Sequence, residues 1–382
     1  MARVSHRATK MANKGFPRIA SRMRLLDSSG IRKVFDLAAK MKNPIDLSIG
    51  QPDSDVPDAV KAAAFEAIQA GKNRYTQTQG IPELREALMN RHLRADQRAG
   101  REVIVTSGTA GALMLAFLVI VEPGDEVLIP DPYFVIYKHL ANLCNGVPRY
   151  VDTYPDFQLT AARVEKCLTP RTKLLIVNCP NNPTGAVAGE KDLREIADLA
   201  REKGIIVLSD EVYSSFSYDA PHVSMLPLGE NVLLLEGFSK SHAMTGWRLG
   251  YAIGPSDIIQ EMIKLQQFSF VCAPSFAQHA GLKALAVDTN KNLAEYRRKR
   301  DIIYEGLRDK FEVVKPGGAF YIFPRAPRGT GTEFVTEAIK NNLLIVPGNV
   351  FSERDTHFRI SFAAPDERLE RAVKVLRELA RR

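Results

Sequence analysis

The chain has 382 residues, of which 45% are hydrophobic and 25% charged, and carries a net charge of +8. That length exceeds one ordinary hydrophobic core and predicts a globular protein of two domains, while no apolar run reaches the roughly 18 residues that span a bilayer. The positive excess sits at the start, where Arg3, Arg7, Lys10, Lys14, Arg18, Arg22 and Arg24 precede the first acidic residue, Asp27. No interleaving of basic and aromatic residues elsewhere points to nucleic acid.

Residues 1–27 read as a basic tail. Gly15 and Pro17 interrupt any long amphipathic helix there, which favours a solvated tail on a cytoplasmic protein over an organellar transit peptide. Cys144, Cys167, Cys179 and Cys272 show no metal spacing and read as free thiols. A short amphipathic helix over 28–41 ends at Asn43-Pro44, and an extended segment over 45–50 leads into a loop dense in glycine and proline. Helices follow over 58–70 and 81–93, with a polar loop at 73–80 between them.

From residue 102 short apolar strands alternate with helices. The strands fall at 103–106, 126–129, 147–151, 173–178, 205–209, 232–235 and 251–253, and helical patterns lie between them, as at 111–121 and 191–203. This alternation predicts an α/β domain with a mostly parallel seven-stranded sheet between helices, whose ligands sit beyond the strands' carboxyl ends. After 257 come helices over 257–268, 275–287 and 290–311. A smaller α+β unit then follows, with strands at 319–323, 343–346 and 357–361 and a closing helix from Asp366. The resulting division is a tail over 1–27, a small-domain segment over 28–48, a large domain over 49–285 and a small C-terminal domain over 286–382.

The chemistry concentrates at 236–251, EGFSKSHAMTGWRLGY. Lys240 directly follows a buried strand, and desolvation there lowers an amine's pKa toward the nucleophilic form. Arg248, held by a Gly-Trp-Arg turn, offers a planar fork for a phosphate or carboxylate. A lysine for an aldehyde and an arginine for its phosphate are what pyridoxal 5'-phosphate requires. A surface lysine and a structural arginine are the plainer reading of that stretch alone.

Other strand ends supply partners. Ser107, Gly108 and Thr109 form a small-residue turn into an apolar helix, where unpaired N–H groups suit a phosphate. Phe134 follows a strand end and is either a core aromatic or a surface for stacking on a planar ring. The rigid loop 178–185, NCPNNPTG, aims the Asn182 amide at a phenolate oxygen. Asp210 suits a ring nitrogen, and Tyr213 suits the oxygen that Asn182 reaches. Arg359, on a strand bordered by apolar residues, calls for a carboxylate partner, from a ligand or from an internal salt bridge.

The motifs NNPTG at 181–185, SDEVY at 209–213, SKSHAMTGWRLGY at 239–251 and FRISFA at 358–363 occur in an order that resembles the class I/II aminotransferases. These are pyridoxal-phosphate enzymes of the aspartate aminotransferase fold, fold type I, and the resemblance runs from about Ser28 to the C-terminus. It implies that Lys240 carries the cofactor as a Schiff base and then shuttles a proton. Asp210 would face the ring nitrogen, Asn182 and Tyr213 the ring oxygen, and Phe134 the ring face. Ser107, Gly108, Thr109 and Arg248 would hold the phosphate. Arg359, with Asn182 and Gly50 beside it, would take the substrate carboxylate. Tyr75 matches a tyrosine that reaches the phosphate of a neighbouring subunit, which implies a homodimer with shared active sites. Many relatives have a serine three positions before the lysine, whereas this chain has Gly237.

The implied activity is ping-pong transfer of an amino group from an L-amino acid to a 2-oxo acid, with no metal, membrane or nucleic acid involved. A C–S β-lyase or a synthase on the same fold is the alternative, because Cα deprotonation is common to all of them. A DNA-binding regulator would need an N-terminal domain, for which the segment before residue 28 is too short. The stretch 269–279, SFVCAPSFAQH, lacks the arginine of dicarboxylate-specific relatives, which points to a neutral or aromatic amino donor.

Overall fold

The computed structural model describes residues 19–26, 30 and 41–381. The helix expected over 28–41 and most of the basic opening lie outside the described residues. Residues Ser21–Leu25 form a 3-10 turn rather than a free tail, and the Leu25 carbonyl accepts a hydrogen bond from Asn142 Nδ2 at 3.3 Å.

Seven strands make the main sheet: β2 (Arg101–Ser107), β3 (Glu126–Asp131), β4 (Val147–Asp152), β5 (Thr172–Asn178), β6 (Ile206–Asp210), β7 (Val232–Gly237) and β8 (Leu249–Pro255). Their order is β2-β8-β7-β6-β5-β3-β4, and only β8 runs antiparallel to its neighbours. The central strands are apolar on both faces because helices cover both. Successive residues of β6 alternate between two cores: Val207 packs with Leu193, Ile196 and Ala197 of helix Glu190–Glu202, and Leu208 packs with Ala112, Leu113 and Ala116 of helix Gly108–Ile120. Residues 232–235 of β7 are fully buried, each contributing about 2 kcal/mol of burial free energy. In consequence β3, β5, β6 and β7 end together at one edge, placing Asp131, Asn178, Asp210 and Gly237 side by side in sequence of the sheet.

A second group of elements packs beyond that edge. β1 (Ile45–Asp46) pairs in parallel with β10 (Leu343–Leu344), and β11 (Val346–Pro347), β12 (Phe358–Ser361) and β9 (Tyr321–Ile322) form an antiparallel sheet in the order β11-β12-β9. The strand expected over 343–346 is therefore two short strands serving different sheets. Ile45, Leu47, Phe320, Ile360, Leu369 and Leu376 share one core with Tyr213 and Phe216, which arrive from the loop after β6. The long helix Asn290–Leu307 and the closing helix Asp366–Arg381 cover it. Helices Ile136–Leu143, Ala161–Glu165 and Gly331–Lys340 add to those expected from the sequence. Among the described residues no helix is long and apolar enough to cross a membrane.

Candidate active site

Between the carboxyl edge of the main sheet and the second group of elements lies a cavity of about 340 Å³. Its wall includes Gly50, Thr109, Phe134, Asn182, Asp210, Tyr213, Lys240, Arg248 and Arg359, which unites nine of the residues expected from the sequence. Ser107 and Gly108 immediately precede Thr109 at the helix start and are not themselves on the wall. Tyr75 is 83% exposed and lies outside this cavity, as do residues 269–279, so the stretch expected to bear on side-chain choice does not line this pocket.

Lys240 stands on the single turn Phe238–Ser241 that caps β7. Its Nζ donates to the Gly50 carbonyl at 2.6 Å and faces no carboxylate within ion-pairing distance among the described residues. Burial, and then the cations of Arg359 and Arg248, pull its pKa from 10.5 down to about 8. Asp210, at the end of β6, accepts a hydrogen bond from the Tyr137 hydroxyl at 2.6 Å and one from the Val212 N–H at 3.3 Å. Burial outweighs both donors and raises its pKa from 3.8 to about 6. Both groups therefore sit where their charge can change within ordinary pH.

Asn178 ties two of these elements together. Its Nδ2 donates to the Asp210 carbonyl at 3.0 Å while its Oδ1 accepts from the Asn182 N–H at 2.9 Å, which fixes the 178–185 loop to β6. Gly185 closes that loop at φ +72°, and a Cβ there would stand 2.8 Å from the Tyr321 carbonyl. Its own carbonyl accepts from the N–H groups of Gly317 and Gly318, so the loop also fixes the approach of β9.

Arg359 is fully buried on β12. Among the described residues no carboxylate pairs with it, so the internal salt bridge considered above is not formed. Its Nη1 donates to Asn182 Oδ1 at 3.0 Å, its Nη2 to the Ser48 carbonyl at 2.7 Å, and its Nε has no partner. The guanidinium is sandwiched between the rings of Tyr321 and Phe351, each centred 4.5 Å away. A buried cation held by neutral acceptors is left to neutralise an anionic ligand. Because Asn182 Oδ1 faces Arg359, its amide N–H groups remain for another acceptor.

The phosphate end is tested by its own packing. The buried Thr109 Oγ1 has no partner, at the N-terminus of the 13-residue helix Gly108–Ile120. Gly108, at φ +69°, brings the helix start so close to Arg248 that a Cβ would fall 2.3 Å from its guanidinium. An orphaned hydroxyl, a free helix start and an arginine in one corner fit a phosphate ester, and a lysine, a carboxylate, an Asn–Tyr pair and Phe134 around the rest of the cavity fit a pyridine aldehyde. The residues present fit pyridoxal 5'-phosphate. At position 237 a Cβ would meet Thr109 Oγ1 at 2.8 Å and backbone atoms of Leu249 and Gly250 at 3.0 Å, so a serine there would need the Thr109 side chain and the neighbouring backbone to shift.

Tyr137 and Tyr321 were not singled out from the sequence. Tyr137 stands one helical turn after Phe134, and their rings meet edge to face, so the i, i+3 spacing in DPYFVIY is the signal that would have found it. Tyr321 lies in a run of aromatics, AFYIF, that reads as core; only its neighbours across the cavity reveal a polar role.

The profile of the aminotransferase class I and II family matches residues 42–376. The chain is 40% identical to a probable aspartate aminotransferase of Methanocaldococcus jannaschii, over 94% of this chain and 99% of that one. It is 38% identical to aromatic-amino-acid aminotransferase 2 of Thermococcus litoralis, over 94% and 98%. Among solved structures, the aspartate aminotransferase of Thermus thermophilus with maleate superposes with a TM-score of 0.90 at 34% identity, covering 94% of this chain and 99% of that one. Relatives named for amino-group transfer favour that reaction over the β-lyase alternative.

Proposed function

The chain belongs to the class I and II aminotransferases, which depend on pyridoxal 5'-phosphate, and on that premise we propose how its pocket carries out the transfer and for which substrates. Bound pyridoxal phosphate supplies an electron sink for the bonds at the substrate's Cα and an aldehyde carbon that stores the amino group between half-reactions. Thr109, Arg248 and the helix start at Gly108, with Ser107 before it, would hold the phosphate. Of the residues on the wall, Phe134 would cover one ring face, Asp210 would face the ring nitrogen, and Asn182 and Tyr213 would face the ring oxygen. Above about pH 6 Asp210 is a carboxylate in the cofactor-free protein and would keep a proton on the nitrogen it faces.

Arg359 takes the α-carboxylate in a two-pronged grip, with Asn182 and the Gly50 backbone at its side, and so presents Cα to Lys240. Lys240 Nζ, a substantially neutral amine near pH 8, would accept the Cα proton and hand it to the cofactor's aldehyde carbon, and would carry it the other way when the oxo acid is aminated. The amino group stored after the first half-reaction is discharged only to a second oxo acid, hence ping-pong kinetics.

The amino donor is neutral or aromatic. The observation that carries this is the lining: once Lys240, Arg248 and Arg359 have their tasks, no other basic side chain is on the wall among the described residues, where Leu113, Ile136 and Val212 present apolar surface. The test mixes holoenzyme with single L-amino acids, without oxo acid, and follows the cofactor's visible band and the product. Neutral or aromatic donors should bleach the band with one equivalent of oxo acid, and aspartate should be the poorer substrate. Faster bleaching by aspartate would reverse the substrate reading. A recovering band with catalytic release of ammonia or thiol would reverse the reaction type.

The working unit is a homodimer with shared sites. Tyr75 and Phe268 are both more than four-fifths exposed, and Phe65 and Ile68 are exposed as well. Hydrogen bonds from Gln266 to Thr78, Ser275 to Lys72 and Gln278 to Thr76 gather the 266–278 and 72–78 segments into one surface. Lys240→Ala and Tyr75→Ala proteins, each impaired alone, should recover activity when mixed, because one hybrid site then holds both residues. No recovery would separate Tyr75 from catalysis. Free Cys144, Cys167, Cys179 and Cys272 suit a cytoplasmic setting, and residues 49–285 act as the cofactor-binding domain against 28–48 and 286–382.

A further inference from the structure

Tyr321 is the residue of the pocket that joins its two ends. It is fully buried on β9, its hydroxyl lies 2.8 Å from the Tyr213 hydroxyl, and its ring lies beneath the Arg359 guanidinium. A Cβ on Gly50 would stand 2.2 Å from the Tyr321 oxygen, so the backbone at Gly50 presses against this hydroxyl and leaves it little freedom. Two phenols in one contact hold two protons, of which the contact uses one. Among the described residues the Tyr321 hydroxyl has no acceptor other than Tyr213. Either hydroxyl can donate in this contact, and an acceptor in the cavity facing Tyr213, as the ring oxygen would be in the pocket reading above, takes the Tyr213 proton and leaves Tyr321 to donate to Tyr213.

Resting on the pocket reading above, we infer that Tyr321 is a positioning residue that orients the Tyr213 hydroxyl as a donor to the cofactor's ring oxygen while backing the arginine that binds the substrate carboxylate. A hydroxyl that accepts one hydrogen bond donates a stronger one. A stronger donor at the ring oxygen draws charge from the neighbouring nitrogen joined to Lys240 and lowers the pH at which that nitrogen loses its proton. Because the same ring supports Arg359, a change at Tyr321 divides into a hydroxyl effect on the cofactor and a ring effect on the substrate.

The experiment titrates the visible band of the holoenzyme for the native protein, Tyr321→Phe, Tyr213→Phe and the double variant, and measures KM and kcat for the best amino donor. Tyr321→Phe should raise the midpoint by about half a pH unit, roughly a threefold change in proton affinity, and change KM by less than about twofold. In the Tyr213→Phe background the same substitution should leave the midpoint where it is, since the hydroxyl acts through Tyr213. Tyr321→Leu, which also removes the ring, should raise KM by about tenfold. An unshifted midpoint in Tyr321→Phe overturns the inference, as does an equal shift with and without Tyr213 or a native KM in Tyr321→Leu. A native protein that shows no band after cofactor is added would instead sink the pocket reading itself.

Discussion

At the end of the pocket built by the parallel strands, Lys240 and Asp210 are both displaced toward their neutral forms, by burial above all. At the other end, Arg359 is buried more completely yet keeps its charge, because a guanidinium cannot shed its proton within reach of ordinary pH. The surroundings match these tasks. Lys240 is held by one acceptor, the Gly50 carbonyl, and Asp210 by two donors, Tyr137 and the Val212 N–H, whereas the fixed cation is clasped by two acceptors and two aromatic faces. Groups that must exchange protons are placed where charge is costly, and the group that must only attract is given a side chain for which that cost cannot be escaped.

The severest break of this comparison is Lys240→Ala, which removes both the cofactor's attachment and the base. Turnover should fall roughly a thousandfold or more, measured in single half-reactions with stopped-flow absorbance. Near-native turnover would discard the lysine's role. Next is Arg359→Leu, for which kcat/KM should fall by about a hundredfold through lost carboxylate binding. It should also raise the Lys240 pKa, since one of the two cations that depress it is gone. The pH dependence of amine modification in the cofactor-free protein reads that shift, and an unchanged profile would mean the two ends are electrostatically independent.

Asp210→Asn sharpens the comparison from the stability side. The unfolded chain ionises this carboxyl near 3.8 and the folded chain near 6, so the folded state holds the proton longer and stability falls as pH rises between those values. Above pH 6 the penalty is complete, on the order of 3 kcal/mol in the cofactor-free protein. The asparagine variant should therefore unfold at higher denaturant concentration than the native apoprotein at pH 8, and equally at pH 3, while losing activity. Equal stability at pH 8 would contradict the burial cost. The smallest effect belongs to Gly237→Ser. Added atoms there meet Thr109 Oγ1 and the β8 backbone, so cofactor affinity should fall a few-fold by fluorescence titration, and a tighter complex would show that the packing yields.

The titrating end was legible in the sequence because each of its residues follows an apolar strand, and the carboxyl edge of a parallel sheet is a predictable place. Lys240 after β7 and Asp210 at the end of β6 needed only strand recognition. The arginine end was legible only in part. Arg359 could be singled out as an expensive charge on an apolar strand, but its acceptors, Asn182 and Ser48, are 177 and 311 residues away in sequence, and no local pattern encodes such pairings. Tyr321 was hidden for the same reason, since an aromatic among aromatics acquires a polar task only from what stands across from it. The expected strand at 343–346 failed differently: its apolar run is continuous, yet Leu343–Leu344 and Val346–Pro347 pair with β1 and β12 in separate sheets.

The hydrogen bonds from Lys240 to Gly50 and from Arg359 to Ser48 also bear on how the molecule comes to exist. Two residues near the beginning of the chain, Ser48 and Gly50, complete a site whose other half includes Arg359, synthesised almost last, so the longer loop to be closed spans most of the protein. Closure of so long a loop is slow relative to local structure, and native contacts of this separation form late. A nascent chain paused before residue 359 would already hold every strand of the main sheet and the lysine, yet lack the clasp on the substrate. Appearance of activity is then a timer for the last step of folding, running behind any signal from the sheet.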